Sequence, residues 1–176
     1  DALVDHIEDD VLRLVFLCCH PALSPDSRAA LTLRLVGGLT TREIARGFLA
    51  TEATMGQRIS RAKRTLAEEG ADLELPTGED RVRRLDDVMA VVYLIFNEGY
   101  SATAGDDWMR PELCQEAIRL ARMLAQMVPD EPEVHGLQAL LELQASRTHA
   151  RSDAEGNPVL LEEQDRGRWD QLLIRR

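Results

Sequence analysis

Between residues 24 and 51 the chain writes three helix starts and one stop. Ser24-Pro25-Asp26 gives a hydroxyl cap, a proline suited to the first helical position and an acid at the positive end of the helix dipole. That helix is predicted to run to about Val36 and to stop at Gly37-Gly38. Thr40 caps a short helix over about 41–48, Leu49-Ala50-Thr51 forms a tight link, and Thr51 caps a fourth helix that runs to about Glu69 and closes at Gly70. The apolar residues agree. Ile44, Ala45 and Phe48 face inward on one helix, and Met55, Ile59, Ala62 and Leu66 recur at i, i+4, i+7 and i+11 on the next. Two capped helices joined by three residues, behind a supporting helix, are the punctuation of a helix-turn-helix.

The rest of the chain is helical too. Val11, Leu14, Val15 and Cys18 mark a helix over 9–20, ended by Pro21. Residues 71–79 hold Pro, Gly and several acids and read as a linker. Beyond them, Leu85, Val88, Met89, Val92 and Ile95 form a stripe that ends at Gly99, and Ser101–Asp107 reads as a loop. Helices are predicted over about 110–127 and 131–149, the second bearing Leu137, Leu140, Leu141 and Leu143. A turn follows at Asp153–Pro158, then a short extended piece at Val159–Leu161, then a last helix from about Glu162 carrying Trp169, Leu172 and Leu173. No strand signal of any length appears, so the expected fold class is all-α. The helix-turn-helix domain, winged-helix-like but without a wing, occupies 1–70; the linker is 71–79; a helical regulatory extension occupies 80–176. The pair at 110–128 and 131–150 spans about one tetratricopeptide period of ~34 residues, with no second copy in matching letters.

Composition narrows the function. No apolar run approaches the ~18–20 residues that span a bilayer, and 44% hydrophobic residues are too many for a disordered chain. Three cysteines without a secretory pattern point to a reducing, cytoplasmic setting. The first residue, Asp1, suggests a piece of a longer protein. Cys18-Cys19-His20 looks like a metal motif, but neighbours on a helix point about 100° apart and do not converge on one ion, so no metal and no cofactor is expected. His6, His20, His135 and His149 stand isolated, no phosphate-cradling glycine loop is present, and Glu98 and Asp165 have no nucleophile beside them; no catalytic residue is expected.

Charge is uneven: 10 acids against 9 bases in residues 1–69, and 21 against 12 in 70–176. Residues 51–66 reverse the trend, with Arg58, Arg61, Lys63 and Arg64 against Glu52, a net of +3. A basic face on the second helix of such a motif is the footprint of a DNA reader. Gln57 suits an adenine edge and Arg61 a guanine edge. Thr51 and Thr54 stand where backbone N–H groups meet phosphate, and Arg42 and Arg46 are placed to touch the backbone beside the groove. The acidic extension is also charged so as to be able to cover this basic helix.

The stretch LTLRLVGGLTTREIARGFLATEATMGQRISRAKRTL resembles region four of bacterial sigma factors of the extracytoplasmic-function type. With CCHPALSPDSRAALTLRLVGGLTTREIA, RLDDVMAVVYLIFNEGYSAT, EAIRLARMLAQMVPDEPEVHGLQALLEL and QDRGRWD in order, nearly the whole chain resembles one branch, which carries a long helical, tetratricopeptide-like C-terminal extension. The resemblance implies binding of the upstream (minus-35) promoter element and of a flap on the RNA polymerase β subunit. Region two is expected before Asp1, and the extension is expected to continue past Arg176, so this piece alone should bind promoter DNA weakly and not initiate transcription. The resemblance places base-reading positions at Gly56, Gln57, Ser60 and Arg61, with Gln57 and Arg61 the stronger readers; Arg58 and Arg64 are assigned to phosphates.

Two polar clusters in the extension stay open. Asn97, Glu98 and Tyr100 end one helix, and Asp165, Arg166 and Trp169 begin another. Either they meet as a regulatory site for a protein or small ligand, or they are a helix cap and a structural Asp–Arg pair, the reading we favour. The alternative function is an all-α ligand-binding regulator or enzyme, with a pocket lined by Tyr93, Asn97, Glu98, Tyr100 and Trp169.

Overall fold

The structure is a computed structural model and describes residues 2–71, 74–100 and 111–175. The expected loop at 101–107 and the first residue of the helix expected from 110 lie outside the described residues. Among the described residues there are eight α-helices and no strand. They are α1 (Ala2–Cys18), α2 (Pro25–Leu35), α3 (Thr41–Gly47), α4 (Glu52–Glu68), α5 (Gly78–Tyr100), α6 (Pro111–Met127), α7 (Pro132–Ser146) and α8 (Gln171–Ile174). The chain is all-α.

The caps form as the sequence predicts. Ser24, Thr40 and Thr51 are extended residues whose side chains accept from the backbone N–H groups of Ser27, Glu43 and Thr54. The end of α4 is a Schellman turn. Gly70 takes φ 62°, and the Ala71 N–H reaches the Leu66 carbonyl at 2.9 Å. The end of α3 has the same geometry without the glycine. Ala50 N–H bonds the Ala45 carbonyl at 2.9 Å, Leu49 N–H bonds the Arg46 carbonyl at 3.3 Å, and Leu49 itself sits at φ 51° with its side chain 69% exposed. A leucine there crowds its Cβ against the backbone and buries little in return.

One apolar cluster runs through both halves of the chain. It joins Leu12, Val15 and Phe16 of α1, Ala29, Leu31 and Leu33 of α2, Ile44 of α3 and Met55, Ile59 and Leu66 of α4 to Leu85, Val88, Val92, Ile95 and Phe96 of α5 and to Leu113, Ala117, Leu120 and Leu124 of α6. Polar groups pin the same junction. The Arg28 guanidinium donates to the carbonyls of His20, Pro21 and Leu23 and pairs with Asp87 of α5 at 2.9 Å. Arg84 of α5 donates to the Phe16 carbonyl and lies over the Phe16 ring.

Of the leucines on α7, Leu141 is buried and Leu137 half-buried, while Leu140 and Leu143 are 42% and 44% exposed. The inner face holds Val134, Leu141, Glu142 and Ser146. Glu142 is 2% exposed because Arg122 of α6 meets it at 2.7 Å and Gln138 donates to it at 3.2 Å, so a carboxylate sits among the buried residues. Two expectations are corrected. First, α7 stops at Ser146 rather than His149, because Asp170 N–H captures the Ser146 carbonyl at 2.8 Å; a 3₁₀ turn, Thr148–Ala150, follows. Second, the last helix does not start near Glu162. Two 3₁₀ turns, Leu161–Glu163 and Arg166–Arg168, precede the short α8. Asp165 caps Gly167, and Asp170 caps Leu172 and Leu173, so two aspartate caps and a glycine divide the stretch. The extended piece reaches only as far as Leu160, and Ser152 bridges Pro158 across the turn.

The Leu49 backbone gives a direct expectation. Leu49→Gly and Leu49→Ala remove the same exposed side chain, and the glycine variant should be the more stable by about 1 kcal/mol, the reverse of the usual order. Urea denaturation of the two variants measures it; an alanine variant as stable as the glycine one would show that this turn carries no strain.

Candidate nucleic-acid interface

The inner stripe of α4 is set by Met55, Ile59, Ala62 and Leu66, each no more than 7% exposed. At about 100° per residue, the opposite face carries Gln57, Ser60, Arg61 and Arg64, and all four are exposed. Gly56 and Lys63 lie on one flank and Arg58 on the other. Gly56 faces α3, where a Cβ would meet the Thr41 methyl at 3.8 Å, ordinary contact. Arg58 is half-buried and leans on Asp26 of α2 at 3.7 Å, a partner that spacing along α4 does not reveal. Arg64 reaches Glu68 one turn on, at 3.6 Å. Among the described residues, Arg61 and Lys63 have no carboxylate within 4.0 Å, so their charge is the least offset on the helix.

The entrance to α4 is ordered from within. Thr51 accepts from Thr54 N–H at 3.1 Å, and its hydroxyl donates to that of Thr54 at 2.8 Å. Both hydroxyls face one another, which leaves the first backbone N–H groups of the helix as the donors toward solvent. Arg42 and Arg46 are exposed on α3. That helix is held by a capping box: Glu43 accepts from the backbone N–H and the hydroxyl of Thr40, each at 2.7 Å, while Thr40 accepts from Glu43 N–H. The spacing of Thr40 and Glu43 is the sequence signal for it. These bonds hold the Glu43 carboxyl below its usual value, the Thr40 hydroxyl acting most.

Among the described residues, the acidic extension leaves this face open. Its helices α5 and α6 pack behind the motif, on α1 and α2, and the outward residues of α4 remain exposed.

The two polar clusters of the extension are anchored separately. Tyr100 stacks on Phe96, with ring centroids 5.2 Å apart, and the Arg151 guanidinium lies 3.7 Å from the Tyr100 ring centre and donates to its carbonyl at 2.7 Å. Trp169 lies between Arg147 and Arg166, at 5.7 and 5.6 Å. Asp165 caps Gly167; Asn97 and Glu98 are half-buried on α5. A cleft of ≈ 340 Å³ opens elsewhere, between α6, the end of α7 and α8, lined by Cys114, Ile118, Arg122, Ala145, His149 and Leu173 among others. None of Tyr93, Asn97, Glu98, Tyr100 and Trp169 lines it.

Cys18, Cys19 and Cys114 are free and buried. Burial pushes the Cys19 thiol up to about 12 and that of Cys114 to about 11, so neither is poised as a nucleophile. No group of three or more His, Cys, Asp or Glu able to hold a metal occurs among the described residues. No helix of these residues is long and apolar enough to cross a membrane.

Fold and face together define an all-α helix-turn-helix protein with a basic outer face on its second helix and a helical extension. Residues 84–176 match a family of unknown function (DUF6596), and the chain belongs to that family; residues 13–66 match Sigma-70, region 4. That pairing is consistent with a fragment of an extracytoplasmic-function sigma factor, as the resemblance implied. An uncharacterized protein of Rhizobium meliloti (strain 1021) is 52% identical over 169 residues, which cover 96% of this chain and 40% of that relative. The chain therefore spans less than half of the length of that relative. No solved structure matches.

The capping box should show in the pH dependence of stability. Glu43 has a folded value below its ordinary 4.5, so its contribution is fully present above 4.5 and is lost as pH falls through the lowered folded value. Glu43→Gln should flatten the fall of the urea midpoint over that acid range while changing little at neutral pH beyond the loss of the cap. An unchanged acid limb would remove Glu43 from this role.

Proposed function

We propose that this chain is the part of a bacterial sigma factor that recognises the upstream (minus-35) promoter element and helps direct RNA polymerase to the start of transcription, with its helical extension regulating that activity in the cytoplasm. The observation that carries this reading is the exposed outward face of α4, with Gln57, Ser60, Arg61 and Arg64, inside the segment that matches Sigma-70, region 4.

The mechanism is binding, with no chemical step. Residues 52–61 of α4 enter the major groove. Gln57 and Arg61 meet base edges, and Ser60 and the bare backbone at Gly56 allow close approach. Arg58, Arg64 and Lys63 neutralise phosphates; Arg58 and Arg64 exchange Asp26 and Glu68 for phosphate oxygens as they do so. Thr51, Thr54 and the first N–H groups of α4 take a phosphate at the helix start, and Arg42 touches the backbone beside the groove. Polymerase core, through its β flap, is the protein partner. A regulatory partner would act on the polar residues of the extension, Asn97, Glu98 and Tyr100 on one side and Asp165, Arg166 and Trp169 on the other.

The test is a salt-series titration of the chain against a pool of random duplex DNA. Arg58→Ala/Arg61→Ala should bind more weakly, and its salt slope should fall by about 0.9 for each phosphate that the variant no longer neutralises. The pool retained by the wild-type chain should converge on one motif. A double variant with the wild-type slope and the wild-type motif would remove α4 from the reading.

A second reading has one observation in its favour. The cleft beside α6 has a mixed lining, in which Arg122 and His149 join the apolar Ile118, Ala145 and Leu173, and would suit a small ligand that acts on the extension. Filling it with Ala145→Phe should abolish saturable binding of the anionic dye 8-anilinonaphthalene-1-sulfonate if the cleft is a site.

A further inference from the structure

One face of α6 bears on the corner of the helix-turn-helix. Leu113, in the first turn of α6 and only 2% exposed, lies so close to Gly47 that a Cβ there would stand 2.8 Å from Leu113 Cδ1 and 3.2 Å from both Cδ2 and Cγ. Arg119, two turns on, donates to the Val36 carbonyl at the end of α2, at 3.2 Å. Glu116 holds Arg119 at 2.7 Å and lies where a side chain at position 37 would be. Leu113, Glu116 and Arg119 share this face, at i, i+3 and i+6. Gly47 is the last residue of α3 and lies two residues before Leu49, whose φ of 51° sets the turn into α4. The wedge thus presses on the joint that fixes the angle between the two helices of the motif.

We propose that α6 is the positioning element of the DNA-reading unit, with Leu113 seated against Gly47 to set where α4 presents Gln57, Ser60 and Arg61. The extension then acts from behind the motif as a brace, and any partner or ligand that shifts α6 shifts the reading helix. Base-edge hydrogen bonds weaken steeply as distance and angle drift, so a small rotation of α4 suffices to change reading. The inference rests on the proposed DNA-binding role for its consequence, but the positioning itself is measured without DNA.

The test is a size exchange in the whole chain. Gly47→Ala forces Leu113 away, and Gly47→Ala/Leu113→Ala returns the room. Backbone amide NMR should show Gly47→Ala displacing resonances of residues 54–61 in α4, and the double variant returning them toward wild type. On duplexes selected by the wild-type chain, Gly47→Ala should lose about tenfold in affinity and the double variant should recover most of it. Should Gly47→Ala fail to fold, Leu113→Ala alone should displace the same α4 amides, and adding Gly47→Ala should restore them. Val134→Ala on α7, a buried truncation away from the motif, controls for general loosening and should leave α4 in place. Amide changes confined to α3 and α6, or equal changes in α4 from Val134→Ala, would overturn the proposal. If the wild-type chain selects no duplex, the DNA-binding reading fails, and the amide comparison still decides the positioning.

Discussion

The helix-turn-helix buries its apolar face in a core that it shares with the extension, and its rear wall is supplied by α5 and α6. Phe16, Leu31 and Leu33 share one cluster with Val88, Ile95 and Leu120. Arg28 shows how closely the halves are joined. One guanidinium satisfies three carbonyls at the α1–α2 corner and the Asp87 carboxylate of α5, so the corner and the extension have a common fastener. Removing either partner strands the other in a half-dry junction, where an unpaired charge is costly. The basic face of α4 owes its openness to the same arrangement, because the extension occupies the side of the motif that α4 does not.

Electrostatics reinforces that geometry. The extension carries nearly all of the net negative charge, and among the described residues its ion-paired acids at the motif are Asp87 on Arg28, and Glu116 through Arg119. The outer face of α4 is the exposed basic face of the motif. On that face no carboxylate of the described residues pairs with Arg61 or Lys63, while Arg58 and Arg64 keep exposed partners that a phosphate can replace, since such pairs are worth little in water.

Much of this was legible before any coordinate. Caps depend on a residue and its next three neighbours, so Ser24, Thr40, Thr51 and Gly70 could be read directly. The inner stripe of α4 followed from spacing, because a helix with one apolar face has one way to bury it. The extension was less legible. On α7 the run of leucines did not say which of them face inward; Arg122, twenty residues away, draws Glu142 inside, and Leu140 and Leu143 stay exposed. The end of the chain looked like one helix, and became two 3₁₀ turns and a short helix once Asp170 took the Ser146 carbonyl. The candidate reading face was visible as a run of bases; that Arg58 leans on Asp26 was not, because the two belong to different helices.

The division follows from the range of the forces. Sequence by itself determined the helices, their caps, the inner face of α4 and the basic character of its outer face, since all of these arise within one or two turns of chain. Tertiary structure decided which side of the motif the extension covers, which residue of α7 is buried and what presses on Gly47. Those depend on side chains such as Arg122, Asp87 and Leu113 meeting partners twenty to sixty-six residues away, and no local pattern encodes where such partners meet.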